Sequence, residues 1–412
     1  MLRLPRLVIA LPLLAAAAAP LAGQSGQYTP PGALGVHPVD AREALRAAVD
    51  EAPWRLGPIR LDPWLGLREI AWVENEGEPG DLTIAVGAGL RAYLPVGSRL
   101  VLTAHALPEY VWWRDRTDDR RLASRAGAGL FYYANRLGLE VRASASDLDD
   151  YATPEVQRRT EVDARTLAAR LDVPLGHRLA LFVRAERGDF DVVDEDPVVA
   201  DLENLDRTDT RLEGGVRLLL GHDLWIGVGA GTSESEFDAA ALDLSNDGSH
   251  SLVEIGWNRP KLDVSYVVRR VELEPVAGSA FGGFDDTTWR GQVSWQPRRQ
   301  SSLAVYAQSD LVYSVLSDAP YFLDERAGVR VGLPLGSRLA LAGFYEDGEH
   351  DYSDGRRDDV RSWGGTLDAP IYRRLRLAVA ARTTEIEGDL GRREIREVGL
   401  RLSLGGSGPS WP

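Results

Sequence analysis

Hydrophobic and polar residues alternate along this chain with a period of two, from about Ile59 to Leu404. The clearest stretch places Leu82, Ile84, Val86, Ala88, Leu90, Ala92 and Leu94 on one face. Thr83, Ala85, Gly87, Gly89, Arg91 and Tyr93 fall on the other. The next stretch repeats the pattern with Leu100, Leu102, Ala104 and Ala106, then Tyr110 and Trp112 at its far end. Strands of soluble domains run to about 5–6 residues, whereas a strand tilted across a bilayer needs about 9–11. The alternation exceeds the longer figure, so these segments read as membrane-crossing strands with the apolar face toward lipid. Leu82, Ile84, Val86 and Leu90 are expected on that face. Trp112, Trp257 and Trp295 are expected near its edges, where an aromatic ring meets both hydrocarbon and water.

The turns between strands repeat as well. Leu94-Pro95-Val96-Gly97-Ser98-Arg99-Leu100 recurs as Val173-Pro174-Leu175-Gly176-His177-Arg178-Leu179, and again as Leu333-Pro334-Leu335-Gly336-Ser337-Arg338-Leu339. Variants lie at Leu219–Leu224, Ala369–Leu375, Tyr133–Leu139, Trp257–Leu262 and Gln296–Leu303. Longer polar connections separate them: Asp147–Glu161, Gly188–Asp206, Glu234–Gly248, Leu273–Asp285, Val315–Leu323 and Asp347–Asp358. Short turns at one end and long loops at the other are the pattern of transmembrane β-barrels. The fold class expected is all-β: one antiparallel up-and-down barrel over residues 58–404. The short turns alone account for sixteen strands. A first strand near Ile59–Val73 and a last at Glu394–Leu404 bring the count to about eighteen, an even number typical of such barrels. A soluble propeller also repeats strands, but its loops do not alternate short and long in this way.

Three segments flank the barrel. Arg3 and Arg6, the apolar run Leu7–Ala19 and small Ala22 and Gly23 read as a cleaved signal peptide over residues 1–23. Residues 24–57 form a periplasmic segment. Within it, Asp40-x-x-Glu43 followed by Ala44, Leu45, Ala48 and Val49 predicts a short helix at about 40–52, on the barrel rim or inside its mouth. Residues 405–412 form a Gly- and Pro-rich tail.

Composition removes several functional classes. Without cysteine there is no disulfide frame, thiolate metal site or thiol nucleophile. A net charge of −15, with Lys261 the only lysine and no basic cluster, argues against nucleic acid as a partner. The expected location is the outer membrane. The partners are then its lipids and lipopolysaccharide, the barrel assembly machinery and, if the chain serves secretion, periplasmic export proteins.

The opening Trp54-Arg55-Leu56-Gly57-Pro58-Ile59-Arg60-Leu61-Asp62-Pro63, with Leu65-Gly66-Leu67, the acidic stretch Glu74–Asp81 and the Leu94–Gly97 turn, resembles bacterial outer-membrane proteins of the β-barrel porin 2 type. In motif the resemblance spans Trp54 to about Trp113, and in style most of the mature chain. It implies an outer-membrane barrel and, through related barrels, a link to exopolysaccharide export. It carries no catalytic residues.

If the apolar set faces lipid, the other set lines the lumen. Candidates there are Arg91, His105, Glu109, Arg125, Glu140, Arg142, Arg184, Glu186, Arg211, Glu213, Arg217, Arg290, Arg326, Arg330 and Arg401. Arg269, Arg382, Asp263, Asp310, Glu346 and Glu397 share the pattern. Charges at membrane depth persist only where they meet water or one another. They can therefore tune a channel or brace adjacent strands, and both roles can hold at once. The acidic loop residues Asp189, Asp191, Asp194, Glu195 and Asp196 lack the spacing of a calcium loop. No Gly-x-Ser-x-Gly or comparable nucleophile motif accompanies the six histidines. No enzyme activity, metal or cofactor is expected. The principal reading is a water-filled, weakly selective channel for small hydrophilic solutes. A component of exopolysaccharide secretion and a plugged structural barrel stand beside it.

Overall fold

A computed structural model describes residues 28–34, 41–75, 80–134, 137–155, 159–193, 202–238, 242–298, 301–388 and 391–405, apart from positions 32, 222, 317, 337 and 373. The signal-peptide reading of residues 1–23, the Asp40 cap and residues 406–412 of the tail lie outside these.

Helix α1 (Ala41–Glu51) is followed by a three-residue strand, β1 (Trp54–Leu56). Then come β2 (Ile59–Asn75), β3 (Asp81–Val96), β4 (Leu100–Trp113), β5 (Arg121–Ala134), β6 (Leu137–Asp150) and β7 (Thr160–Leu175). The middle third is β8 (Leu179–Val193), β9 (Arg207–Leu219), β10 (Leu224–Phe237), β11 (Asn246–Arg259), β12 (Leu262–Pro275) and β13 (Phe284–Arg298). The last third is β14 (Ser301–Tyr313), β15 (Tyr321–Leu335), β16 (Leu339–Tyr352), β17 (Arg357–Tyr372), β18 (Leu375–Gly388) and β19 (Gly391–Gly405). Each strand from β2 onward pairs antiparallel with the next, and β19 returns to β2 through Leu404↔Leu65, Leu400↔Ile70 and Val398↔Trp72. The nineteen strands less the short β1 therefore make a closed ring of eighteen.

Closure follows from the alternation. On β9 the outward Leu212 and Val216 are 53% and 38% exposed, while the intervening Glu213 and Arg217 are buried. On β14 the outward Val305 is 55% exposed beside buried Ala304 and Tyr306. A soluble protein would hide these aliphatics and wet the charges; a membrane barrel does the reverse. The predicted lipid-facing set lies on this outer face. Val86 and Leu90 are exposed and Trp295 is 48% exposed, while Leu82, Ile84, Trp112 and Trp257 are half-buried against their outward neighbours.

Two features departed from simple alternation. The pairing of β2 with β3 slips between Leu67 and Glu69. This bulge keeps Leu67, Ile70 and Trp72 outward and turns Glu69 inward, where it is buried. The long connections are also shorter and less polar than the sequence pattern implied. Strands β16 and β17 run through Asp347–Asp358 apart from a four-residue turn at 353–356, because outward Asp347 and Asp351 pair with Arg361 and Arg357 across the ladder. Gly355, with φ +89°, supplies the left-handed turn position.

The remaining loops carry an apolar cluster. Leu202, Leu205, Leu242, Leu244, Phe281 and Val315 pack with Phe237, Phe284 and Tyr313 at the strand ends. Burying each such side chain contributes roughly 1.5–3 kcal/mol, enough to fold these loops onto one another.

Asp206, between the 3-10 turn Leu202–Leu205 and β9, accepts a hydrogen bond from the Val192 N–H at 2.6 Å. Burial, joined by the nearby Asp191, Glu203 and Asp238 carboxylates, pushes its pKa up to about 6 against the opposing Val192 bond. An unfolded Asp titrates near 3.9, so between about pH 4 and 6 the folded loop holds a proton that the unfolded loop does not. The loop should thus tighten as pH falls through 6. Proteolysis at residues 202–206 is predicted to be slower at pH 5 than at pH 7.5, and Asp206→Asn should abolish the difference.

Candidate functional site

The interior of the ring holds the ionised side chains, and the structure joins them into chains of alternating sign. The first runs across β18, β19, β2 and β4. Arg382 Nη2 meets Glu397 at 2.5 Å, Glu397 meets Arg159 Nη2 at 2.8 Å, and Arg159 Nη1 meets Glu69 at 2.9 Å. Arg68 continues it, 3.2 Å from Glu69 and 2.6 Å from Glu109. Three guanidinium groups thus face three carboxylates, all with little solvent access. Buried ions survive in this way only when each has an opposite partner.

The second chain occupies the opposite wall. Arg170 pairs with Asp172 at 2.6 Å, Asp172 with Arg217 at 2.6 Å, and Arg217 with Glu254 at 2.6 Å. Arg184 joins Glu254 at 2.9 Å to Glu213 at 2.5 Å, and Arg269 lies 3.6 Å from Glu213. Its geometry depends on the inner face of β10, which carries Gly227, Gly229 and Gly231. A Cβ at Gly227 would stand 2.7 Å from Glu254, and one at Gly231 2.7 Å from the His250 ring. The glycines leave a trough across which side chains of β9 reach those of β11.

A third group surrounds Arg326, which is fully buried between Asp324 (2.6 Å) and Glu346 (3.2 Å). Tyr306 donates its hydroxyl to Glu346 at 2.7 Å, and His350 Nε2 lies 3.5 Å from Asp324.

All fifteen lumen candidates fall on the inward face by register and burial. Glu109, Arg184, Glu213, Arg217 and Arg326 belong to the three groups. Elsewhere, Arg290 meets Asp310 at 2.5 Å, and Glu140 accepts from Arg142 at 2.6 Å and from Tyr133 at 2.7 Å. Arg91 stands 3.9 Å from Asp62 and is the ladder partner of His105, while Glu186 is the ladder partner of Arg211. Arg125, Arg330 and Arg401 also face inward, Arg330 beside Tyr306 and Glu346 of the third group and Arg401 beside Arg68, Glu69 and Glu109 of the first. Among the described residues, Asp147, Glu161 and Asp163 make an acidic group, which Arg121 enters to pair with Asp147 and Glu161.

The lumen is not empty. The described residues of the β6–β7 connection, 151–155 and 159, turn into it rather than away from it. Arg159 anchors one end on Glu69 and Glu397, and the Tyr151 hydroxyl donates to Glu397 at 3.1 Å. Glu155 accepts from the Ser314 hydroxyl at 2.6 Å and from the Val315 N–H at 3.0 Å, both in the β14–β15 loop. From β6 to β14 is eight steps around a ring of eighteen, so Glu155 carries this connection across nearly the full bore.

The N-terminal residues 28–31, 33 and 34 lie against β15–β18. Arg326 donates to the Thr29 carbonyl at 2.6 Å, and Tyr28 is buried beside His350 and Phe322. Helix α1 sits at the short-turn end, where the Arg42 guanidinium lies 5.3 Å from the ring centroid of inward-facing Tyr133.

Arg159, Glu69, Glu155 and Tyr28 escaped the sequence reading. Glu69 left a trace, the three-residue step from Leu67 to Ile70 in an otherwise two-residue pattern. Arg159 and Glu155 lie in a loop that has no periodicity, and nothing local marks it as turning inward.

Arg159→Ala should leave Glu69 and Glu397 facing each other without their shared cation. Losing one partner from a buried ion group costs on the order of 3–5 kcal/mol. The variant is predicted to lose its compact mobility on unheated SDS gels at a lower temperature than the parent. Its 151–159 loop should also be cut faster by protease, whereas Arg114→Ala, an exposed control, should change neither.

No protein-family model matches the chain, and no curated protein matches it. Solved structures do. Pseudomonas aeruginosa OpdK with vanillate is 12% identical, with a TM-score of 0.50 over 84% of this chain and 99% of that one. P. aeruginosa OccK2 (OpdF) is 14% identical with a TM-score of 0.49, over 84% and 98% of the two chains. Acinetobacter baumannii OccAB3 is 13% identical, also at 0.49, over 84% and 99%. At these identities the OpdK likeness is one of fold, and it accords with a closed antiparallel barrel of this size.

Proposed function

We propose that the chain is an outer-membrane channel for small hydrophilic solutes, weakly selective and narrowed from within. The observation that carries this reading is the division of the eighteen-strand wall into an exposed aliphatic outer face and an ionised inner one. A ring of 16–18 strands is wide enough to leave an aqueous path, whereas one of about eight is filled by its own side chains. The short turns then face the periplasm and the apolar-capped loops the exterior. With Tyr151–Glu155, Arg159 and the described residues 28–31, 33 and 34 on the other side, the path runs along the Arg170–Arg269 wall, where charges nearly balance. Weak selectivity follows, since a strong preference needs an excess of one sign in the narrowest part. The OpdK structure holds vanillate, a small polar solute, which fits cargo of this size. The resemblance of Trp54–Trp113 to β-barrel porin 2 proteins belongs to the same reading.

The bridging loop favours one alternative, a structural barrel plugged for good. It speaks against export of a bulky polymer, which would need the bore that the loop crosses.

Purified protein in planar bilayers is predicted to give discrete current steps, with a reversal potential near zero in a salt gradient. Arg217→Ala should shift that potential toward cation preference, because Glu254 and Asp172 lose their shared cation. Silence at every voltage would leave only the plugged barrel.

A further inference from the structure

The outer wall is not uniform around the ring. On most strands the aliphatic stretch gives way to outward charge well before the long-loop end. Asp347 on β16, Arg187 on β8 and Arg270 on β12 each stand ninth from the start of their strand. Strand β4 reaches its thirteenth residue, Trp112, with nothing charged on its outer face. Its neighbours β3 and β5 carry no charge there either, from Leu82 to Val96 and from Leu122 to Ala134. Four more residues at about 3.3 Å each, on strands tilted by about 40°, make the apolar wall roughly 10 Å taller in this sector. Near its top, Leu122 is 64% exposed and Tyr110 47%. The hydrocarbon core is about 30 Å thick on every side of a barrel, so the added height stands outside it unless another apolar surface covers it.

The same sector holds a flat field at mid-height. Ala104, Ala128 and Ala143 are register partners in one row across β4–β6, and Ala106, Ala126 and Ala145 in the next; all six are exposed. Methyl groups give acyl chains little to pack against, but they let two walls meet almost backbone to backbone. Within a bilayer such close packing of small residues is what drives protein surfaces together.

The rest of the wall opposes contact with another copy. Across β10–β13, Glu234, Glu236, Asp247, Glu272, Glu274 and Asp285 face outward against a single arginine, Arg270. Two copies meeting there would bring like charges together. Among the described residues, no three consecutive strands other than β3–β5 lack outward charge. The sector is also large enough. Four strands, β3 to β6, each at least fourteen residues long and about 4.8 Å apart, present roughly 900 Å², against about 800 Å² per partner in a stable interface.

We propose that this face binds the same face of a second copy, as a two-fold pair whose axis lies along the bilayer normal. One uncharged sector per copy admits a self-complementary contact but not a ring. The inference rests on the membrane location of the barrel and not on whether its lumen conducts.

The chain has no cysteine, so single thiols report on each face. Ala128→Cys lies in the alanine field, and Ala307→Cys lies on β14, nine strands away around the ring; each is seventh from the short-turn end of its strand. Both are reconstituted in liposomes at low density, with insertion verified by heat-modifiable gel mobility. A short bis-maleimide should give about ten-fold more cross-linked dimer from Ala128→Cys, because a standing contact holds its thiols at high effective concentration. Equal yields at the two sites, or none at Ala128→Cys, would overturn the pair. Failure of both to insert would overturn the membrane reading with it.

A second measurement counts copies. Protein labelled at Asp354→Cys, in the exposed β16–β17 turn, should photobleach in two steps in liposomes. Adding Ala104→Trp and Ala126→Trp fills the field with bulk that lipid accepts and should reduce this to one step. Three steps in the labelled protein would overturn the two-fold pair. One step, with bound lipopolysaccharide that the tryptophans displace, would overturn it in favour of lipid.

Discussion

Backbone amides and carbonyls have no water to turn to inside a bilayer, so a sheet that crosses one must leave no edge. Every other feature of this chain depends on that requirement being met at the seam between β19 and β2. The seam joins the two ends of the barrel sequence with a register slip where Leu400↔Ile70 gives way to Leu402↔Leu67, and the pairing of β2 with β3 slips at the same place, between Leu67 and Glu69. Closing the ring there fixes what becomes inside and outside for all eighteen strands, because a shift of one residue exchanges the faces.

Once the ring is closed, the inner face has a problem of its own. Many long ionised side chains share one space with limited water. The structure resolves this by pairing charges both across strands, as in Arg217–Glu254, and along one strand, as in Arg170–Asp172 and Arg326–Asp324. The Arg382-to-Glu109 chain ties the seam together, and the Arg170-to-Arg269 chain laces the opposite wall over the glycine trough of β10. Arg159 links the two levels of organisation, since it belongs to a loop yet completes the seam chain. Through it, the narrowing of the lumen and the bracing of the closure are one set of contacts. Walls neutralised pair by pair are what the proposed weak selectivity rests on.

The barrel was legible because its signal is periodic and repeated. Alternation identified the strands, the Leu-Pro-x-Gly-type turns set their number, and the same period sorted Arg217, Glu213 and Arg326 to the interior. Partnership was not legible. Arg217 and Glu254 sit on strands that are not neighbours, and their pairing needs the absence of a side chain at Gly227, which a pattern of hydrophobicity does not register. Loop fates were hidden for a different reason. Tyr151 and Arg159 turn inward to meet Glu69 and Glu397, both remote in sequence. The sequence marks residues 24–57 only as a periplasmic segment, because the contacts that hold Thr29, Pro31 and Leu34 come from Arg326, Arg382 and Arg330, some three hundred residues away.

Liposome swelling with uncharged sugars of graded size addresses the central claim, a lumen that is continuous but narrowed by the chain's own loop and N-terminal segment. The account predicts that reconstituted protein lets monosaccharides through quickly, disaccharides slowly and longer oligosaccharides not at all. Equal rates for all sizes would contradict the narrowing, and no swelling with any sugar would contradict the channel.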